Sequence, residues 1–263
     1  MTTITNVRST SVKRSYRAVL ILLALVSTIS CAQQINPEDD NFRPWRIGVA
    51  IPWTYVSGVS QAYGISEAEN WTSMMLPYGQ LVLSESRRDI NKIRHSLNDK
   101  SYEGYGIPLG PSNFIPNQVG TGKKTLPDEL YIYWNSDFTH TSYATVVKVT
   151  PQIKSAMIKA YPHPSWRFKG QNCYQTDFVF GLLPNGKTKL WLKGCQIYTY
   201  VGEFEPTKAV PSSGSWSKDT SSSYYSAKKE RLKIEPIPWD KVNQVWYDKE
   251  KYTMQNIDDV VKL

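Results

Sequence analysis

Three cysteines are the residues of this 263-residue chain whose surroundings most clearly indicate chemistry: Cys31, Cys173 and Cys195. Cys31 follows thirty residues in which four basic side chains precede a short apolar run at 18–29, which ends beside Ser30. That order is typical of a secretory signal that is removed from the mature protein. As a helix the run would be about 18 Å long, too short for the roughly 30 Å hydrocarbon core of a membrane. The pattern predicts a signal peptide at 1–30.

Residues 27–31 (STISC) resemble the bacterial lipobox, in which small or apolar residues precede a cysteine that is acylated and becomes the new N-terminus. Thr28 stands where that pattern most often has Leu. The resemblance implies acyl chains, palmitate among them, on Cys31, and stable anchoring because several chains act together. Ala32 after the cysteine resembles the signal for the periplasmic face of the outer membrane. An ordinary signal cut near Ala32 and an uncleaved anchor are the alternatives.

Cys173 and Cys195 are the two cysteines left in the predicted mature chain. In an oxidising compartment such a pair is a candidate disulfide. A bridge across this loop would stabilise the fold by roughly 3.4 kcal/mol on the chain-entropy model. Two free thiols are the alternative.

Residue patterns that support catalysis or metal binding are missing from the sequence. There is no G-x-S-x-G element of an acyl hydrolase, and His95, His140 and His163 do not have the spacing of metal ligands. We therefore expect no enzyme activity, no bound metal and no cofactor. The aromatic residues Trp216, Tyr105 and Phe114 lie in loop-like segments and are the candidate binding residues.

The net charge argues against nucleic acid as a partner. The chain carries +8, and removing the signal takes away four basic residues and no acid, which leaves about +4. Binding to nucleic acid normally needs a clustered basic surface, which this charge does not indicate.

The elements that must position these residues are mostly strands, because aromatic and β-branched residues recur in short runs. We predict an α+β, β-rich fold after the signal peptide: an antiparallel sheet or sandwich with one or two short helices. Residues 31–44 are a polar tether, and 45–263 form one domain with a Ser-rich loop near 207–226. The predicted strands are 45–59 (broken at Pro52), 76–83, 129–135, 142–149, 173–183 and 187–201; the predicted helices are 86–97 and 152–160.

Three of these elements carry more specific predictions. Thr150 and Pro151 are expected to begin the second helix as its N-cap and first residue. Residues 102–124, rich in Gly and Pro, are expected to form a long surface loop. Asn185-Gly186 predicts a two-residue hairpin turn, in which Cys173 and Cys195 would not be directly opposite. A bridge would then need a bulge or a longer loop.

The hairpin region at 174–206, with Leu130 to Trp134 and Ile237-Pro238-Trp239-Asp240, resembles a family of bacterial lipoproteins catalogued as a domain of unknown function. Its recurring motifs here are FGLLPNGK and WLKGC. The group is similar to lipoproteins of type VI secretion loci, where an immunity protein blocks a toxic effector such as a phospholipase. The resemblance thus implies a membrane-tethered periplasmic protein whose partner is a secreted effector toxin. A structural or assembly lipoprotein of the envelope is the alternative.

Overall fold

The computed structural model describes residues 39–55, 57–76, 89–110, 114–136, 138–211 and 235–261. They belong to one compact unit, Asn36–Leu263. Strands predominate among them, with a few short helices, which confirms the predicted α+β, β-rich fold. No helix in these ranges is long and apolar enough to cross a membrane. The predicted signal peptide, Cys31, Trp216 and most of the Ser-rich loop lie outside the described residues.

The strands, in chain order, are β1 (Arg46–Ala50), β2 (Ser57–Ser66), β3 (Trp71–Leu76), β4 (Ile107–Leu109), β5 (Asn117–Gln118), β6 (Glu129–Ser136), β7 (Thr141–Lys148), β8 (Tyr161–Pro162), β9 (Asn172–Cys173), β10 (Asp177–Leu182), β11 (Thr188–Gly194), β12 (Ile197–Phe204), β13 (Lys208–Pro211), β14 (Val245–Tyr247) and β15 (Thr253–Asn256). The helices are α1 (Ile90–Leu97), α2 (Pro151–Ile158), α3 (Trp239–Val242) and α4 (Ile257–Val260), and one 3₁₀ turn spans Trp166–Phe168.

Sheet A has five strands in the order β1-β10-β11-β12-β15 and is covered on both faces. Every residue of β10 is buried. Phe178 and Phe180 lie in the larger core cluster, whereas Val179 between them lies in a second one. A strand with apolar side chains on both faces is typical of a central layer. Two of its outer pairings, β1 with β10 and β12 with β15, are parallel, which the sequence did not predict.

Sheet B has six antiparallel strands in the order β13-β7-β6-β2-β3-β5 and packs on sheet A. Strand β6 alternates: Leu130, Ile132 and Trp134 are buried in the larger cluster, and the residues between them are half-buried. Successive side chains of a strand point to opposite faces, so one face of sheet B packs on sheet A and the other points away from it. The predicted strands 129–135 and 142–149 are confirmed as β6 and β7.

The other face of sheet A is covered by short elements from two parts of the chain. Ile107 and Leu109 of β4 are fully buried beside Val242 of α3, and β4 pairs with β14. The interpretation of residues 102–124 as a long surface loop was therefore wrong for residues 106–110, which are buried, whereas residues 119–121 are exposed. Three consecutive buried residues, Ile107 to Leu109, hold this segment against the core, where the Gly and Pro content alone indicated a surface loop.

Helix α2 begins as predicted. Thr150 is its N-cap, accepts a hydrogen bond from the Ile153 amide at 3.3 Å and is followed by Pro151 at the first turn. Ile153 and Met157 are buried in the larger core cluster. A side-chain oxygen at this position satisfies one of the free amides that every helix start leaves.

The hairpin after β10 has a three-residue loop instead of the predicted two-residue turn. Gly186 lies at φ +93°, and Asp177 pairs with Lys193, one register step from the predicted pairing. The predicted strand 187–201 is in fact two strands, because the chain reverses at Cys195 and Gln196, which have φ values of 55° and 60°. Two successive positive φ values form a tight turn between antiparallel strands.

The folded domain begins before Trp45, within the segment that was predicted to be a tether. Phe42 is fully buried and packs edge-on against Tyr174 at 5.2 Å between ring centroids. The Asp39 carboxylate accepts hydrogen bonds from Asn172 Nδ2 at 2.7 Å and from the Tyr174 hydroxyl at 2.6 Å. The polar composition of residues 39–44 indicated a tether, but one buried aromatic ring and one carboxylate fix them to the domain.

Candidate binding surfaces

The candidate binding residues predicted from sequence are not brought together. Phe114 is half-buried and packs on the larger core cluster, and its carbonyl accepts a hydrogen bond from the Val49 amide. Tyr105 lies on the far side of sheet A, in the second cluster. Trp216 lies outside the described residues.

Tyr105 lines a shallow cleft of about 230 Å³ with Glu103, Lys241 and Trp246. Small-molecule sites are usually larger, roughly 300–1,000 Å³. The Lys241 ammonium pairs with the Glu103 carboxylate and lies 5.6 Å from the centre of the Tyr105 ring. The charges of the cleft thus neutralise each other, and no general acid or base stands out in it.

Cys173 and Cys195 are brought together as a disulfide pair, with their Cα atoms 5.6 Å apart. Neither lies in the β10–β11 ladder, so the register argument against the bridge does not apply. Cys173 lies in β9, and Cys195 lies in the turn between β11 and β12. The bridge therefore fastens the β8–β9 hairpin to the end of sheet A.

The outer face of sheet B carries a row of stacked tyrosines, which we call the tyrosine face: Tyr63 of β2 with Tyr131 and Tyr133 of β6. The rings of Tyr63 and Tyr131 are 4.9 Å apart at their centroids and within 8° of parallel. Tyr133 stacks on Tyr63 at 6.1 Å, and the two hydroxyl oxygens are 3.4 Å apart. Tyr63 and Tyr131 are direct cross-strand partners, which is the arrangement that lets two rings stack.

The hydroxyls of Tyr63 and Tyr131 stay protonated over the physiological range. Burial, followed by the hydrogen bond with Tyr133, raises the pKa of Tyr63 to about 12. The hydrogen bond that Tyr131 donates to Glu129 at 2.6 Å raises its pKa to about 12. Neutral phenols both donate and accept hydrogen bonds, so the face offers apolar rings and polar hydroxyls side by side.

Apolar side chains extend the tyrosine face toward one edge of sheet B. Met74 pairs across the strands with Tyr63 and is 38% exposed, and Leu76, on the same side of β3, is 53% exposed. Val119, half exposed, donates its backbone amide to the Met74 carbonyl. Single exposed apolar residues are common on proteins, but a contiguous row of them indicates an interaction site.

A second exposed aromatic site lies in the turn between β8 and β9, far from the tyrosine face in sequence. Trp166 is 82% exposed, and Phe168 is 45% exposed. Sequence analysis did not select these residues. The signal available was a Trp-Arg-Phe-Lys run between prolines and a glycine, directly after a helix.

The tyrosine face was also missed, although its signal was stronger. In Leu-Tyr-Ile-Tyr-Trp the aliphatic residues and the tyrosines alternate, so that Tyr131 and Tyr133 must share the face opposite Leu130 and Ile132. This stretch of sequence does not show which of the two faces packs against the rest of the protein.

Within the described ranges, no group of three or more His, Cys, Asp or Glu side chains is placed to hold a metal ion. The arrangement of the described surface can bind another molecule through aromatic rings and hydroxyls.

Comparison with known protein families gives a match over most of the chain. Residues 31–240 match the family described as Protein of unknown function (DUF2931), a range well over half of the 263 residues. Neither the comparison with curated proteins nor that with solved structures gave a match. The match confirms the expectation of a family of unknown function. The chain belongs to the DUF2931 family.

Proposed function

We propose that this protein is a lipid-anchored envelope protein that acts by binding another protein through the tyrosine face, as an immunity protein that neutralises a secreted effector. The observation that carries the proposal is the row of three stacked tyrosines on the outer side of sheet B. Lipid on Cys31 would hold the domain at the membrane that the effector attacks.

The composition of the tyrosine face supports a protein partner. Tyrosine is enriched at the positions that dominate protein binding energies, because a rigid ring buries a large area and its hydroxyl still forms hydrogen bonds. The tyrosine face combines three such residues with the exposed Met74 and Leu76. An apolar centre with polar atoms at its margin is the usual anatomy of an interface.

The orientation of the rings argues against a glycan as the ligand. Sugars pack on the open face of an aromatic ring, but the central ring of the row, Tyr63, is stacked with Tyr131 at 4.9 Å and with Tyr133 at 6.1 Å. Tyr63 therefore offers a ligand its ring edge and its hydroxyl. Edges and hydroxyls suit the side chains and backbone of a protein surface.

Anchoring would strengthen a modest affinity. A binding site fixed at the membrane meets a membrane-directed effector at a raised effective concentration, without any additional contact. The rigid sheet beneath the tyrosine face also lowers the entropy that is lost on binding, since the rings are already stacked. Binding, without catalysis, is the activity we propose.

The test is co-expression with the protein encoded next to this gene, in the envelope of a cell that this protein harms. We expect the full chain to protect the cell and to co-purify with the effector. A Tyr63→Ala/Tyr131→Ala variant should bind at least about tenfold more weakly, the loss expected when interface anchors are truncated. Trp239→Ser is the matched control, because it removes an exposed aromatic residue from α3, on the far side of sheet A.

Three results would contradict the proposal. Equal loss of protection in the Trp239→Ser control, or full protection by the tyrosine variant, would contradict the tyrosine face as the interface. A stable complex with an envelope component, without protection against any effector, would favour the structural or assembly role. Circular dichroism should show that the tyrosine variant remains folded at the assay temperature and unfolds cooperatively above it, so that its loss of binding is a loss of contact.

A further inference from the structure

The turn between β8 and β9, residues 163–171, projects two aromatic rings from a hairpin; we call it the Trp166 loop. The His163 amide donates to the Gln171 carbonyl at 3.1 Å and closes its base. Trp166 is 82% exposed and has the largest exposed fraction among the exposed large hydrophobic residues of the described ranges. Burial of such a ring against a partner would be expected to stabilise the bound state.

The loop is ordered by its own contacts, although its tip is exposed. The Phe168 amide donates to Ser165 and the Gln171 amide to Phe168, each at 3.0 Å, which makes the 3₁₀ turn. The His163 ring packs against Phe168 at 4.6 Å between centroids. Cys173, two residues beyond Gln171, is bonded to Cys195. The aromatic tip is therefore presented on a fixed base.

The stretch of sequence that contains the loop carries charges of one sign. Arg167 and Lys169 flank Phe168 and are exposed, and the Arg167 guanidinium lies 5.7 Å from the centre of the Trp166 ring. From residue 151 to residue 176 there are four basic residues and no acidic one. Aromatic rings beside Arg and Lys are the composition that sits in the interface of an anionic bilayer.

The chain leading to Cys31 meets the fold at the base of the same hairpin. Asp39 accepts hydrogen bonds from Asn172 in β9 and from Tyr174 just after it. These two hydrogen bonds attach the Asp39 carboxylate to the base of the hairpin. The point where the tether enters the domain is thus beside the Trp166 loop.

The chain between Cys31 and Asp39 is short enough to keep the Trp166 loop close to a membrane that holds the lipid. Asp39 is the eighth residue after Cys31. A fully extended chain of that length spans at most about 28 Å. A lipid on Cys31 would therefore keep the base of the hairpin within roughly one membrane thickness of the bilayer surface.

We infer that the Trp166 loop is a second membrane contact, which inserts Trp166 and Phe168 among the headgroups of an anionic bilayer and orients the domain on it. The inference rests on the acyl anchor in the proposed function. Arg167 and Lys169 bind the lipid phosphates, and the anchor supplies the proximity. The tyrosine face, on a different part of the domain, is left to the protein partner.

The test uses the full acylated chain in vesicles of phosphatidylethanolamine and phosphatidylglycerol, with and without bromine on the acyl chains. Bromine quenches only those tryptophans that enter the bilayer. We expect quenching in the unsubstituted protein and loss of most of it in Trp166→Phe. Trp239→Phe is the matched control, since Trp239 is 39% exposed and lies on α3, and this variant should be quenched like the unsubstituted protein.

A second pair of measurements tests whether the positive charges of Arg167 and Lys169 bind anionic lipid. Vesicles of phosphatidylcholine should give weaker quenching than the anionic ones, and an Arg167→Gln/Lys169→Gln variant should lose that difference. Equal quenching in neutral vesicles would contradict an anionic surface as the ligand. The unfolding temperature of each variant should match that of the unsubstituted protein.

Vesicle flotation distinguishes a chain that lacks the acyl anchor from one whose Trp166 loop does not enter the bilayer. A chain that floats with the vesicles but shows no bromine quenching at Trp166 overturns the inference and leaves the anchor and the partner binding in place. A chain that does not float overturns the anchor and the inference together. Shielding of Trp166 by the effector, and not by lipid, would make the loop a protein contact and also overturn it.

Discussion

The two sheets have similar strands and opposite surroundings. In sheet A, β10 (DFVFGL) is buried along its whole length, because sheet B covers one face and β4, β14 and α3 cover the other. In sheet B, β6 (ELYIYWNS) alternates between buried and half-buried residues. We propose from this difference a division of labour, in which sheet A contributes most to stability and the outer face of sheet B binds the partner.

The same residue type has different roles in the two sheets. Tyr198 of sheet A is fully buried, and burial raises the pKa of its hydroxyl far above the usual value. Tyr131 of sheet B points its hydroxyl at Glu129 on the surface. A buried tyrosine mainly fills space, whereas a half-buried one can also contact a partner.

The largest expected effect is truncation of a ring in sheet A. Trp191→Ala should lower the free energy of unfolding by about 3–5 kcal/mol, because the ring is buried between sheet A and its covering elements. Tyr131→Ala, on the outer face of sheet B, should cost about 1 kcal/mol or less, the scale of a cross-strand pair. Urea unfolding of both variants measures the contrast. Equal losses would refute the division of labour.

Removal of the disulfide should come next. The Cys173→Ser/Cys195→Ser variant is expected to lose roughly 3.4 kcal/mol, because the open loop gains chain entropy in the unfolded state. The loss should appear in urea unfolding, and reductant should destabilise the unsubstituted protein but not this variant. Reaction of both thiols with iodoacetamide in the native protein would contradict the bridge.

Loss of the α2 cap should have a smaller effect. Thr150→Ala removes the oxygen that accepts the Ile153 amide, and we expect a loss of about 1 kcal/mol in the free energy of unfolding. Thr150→Ser keeps an oxygen at that position and is the matched control. A Ser variant as unstable as the Ala variant would show that the methyl group, and not the cap, matters.

The smallest expected effect is electrostatic. It concerns the Asp39 carboxyl group in the N-terminal segment and should not depend on the tyrosine face. Hydrogen bonds, that from Tyr174 first, lower the pKa of Asp39 from 3.8 to about 2. A lowered pKa means that this contact contributes fully above pH 3.8 and is lost as the pH falls through about 2. By NMR titration of the carboxyl carbon, Tyr174→Phe should move the midpoint toward 3.8. Tyr131→Phe should leave it unchanged, and a midpoint that moves in both variants would contradict this assignment.

Local sequence patterns predicted the elements whose causes are local. The cap at Thr150 and the strands predicted at 129–135 and 142–149 follow from neighbouring residues, and the structure confirms them. The hairpin was placed correctly but its register was not, because one additional loop residue moves every pairing by one step.

The placement of the candidate surfaces could not be predicted in the same way. Tyr105 and Phe114 have the composition of binding residues, but contacts with distant segments cover much of both rings. Whether the face of Tyr131 or that of Leu130 is buried depends on which sheet packs there, and that partner lies more than forty residues away in β10.

The sequence by itself determined the β-rich class, the start of α2 and the pairing candidates among the cysteines, because periodicity, caps and residue counts are properties of short stretches. Only the tertiary structure decided that sheet A is covered on both faces, that the outer side of sheet B displays stacked tyrosines, and that Asp39 meets the base of the Trp166 loop. These depend on contacts between segments far apart in the chain, where burial is decided by packing and not by composition.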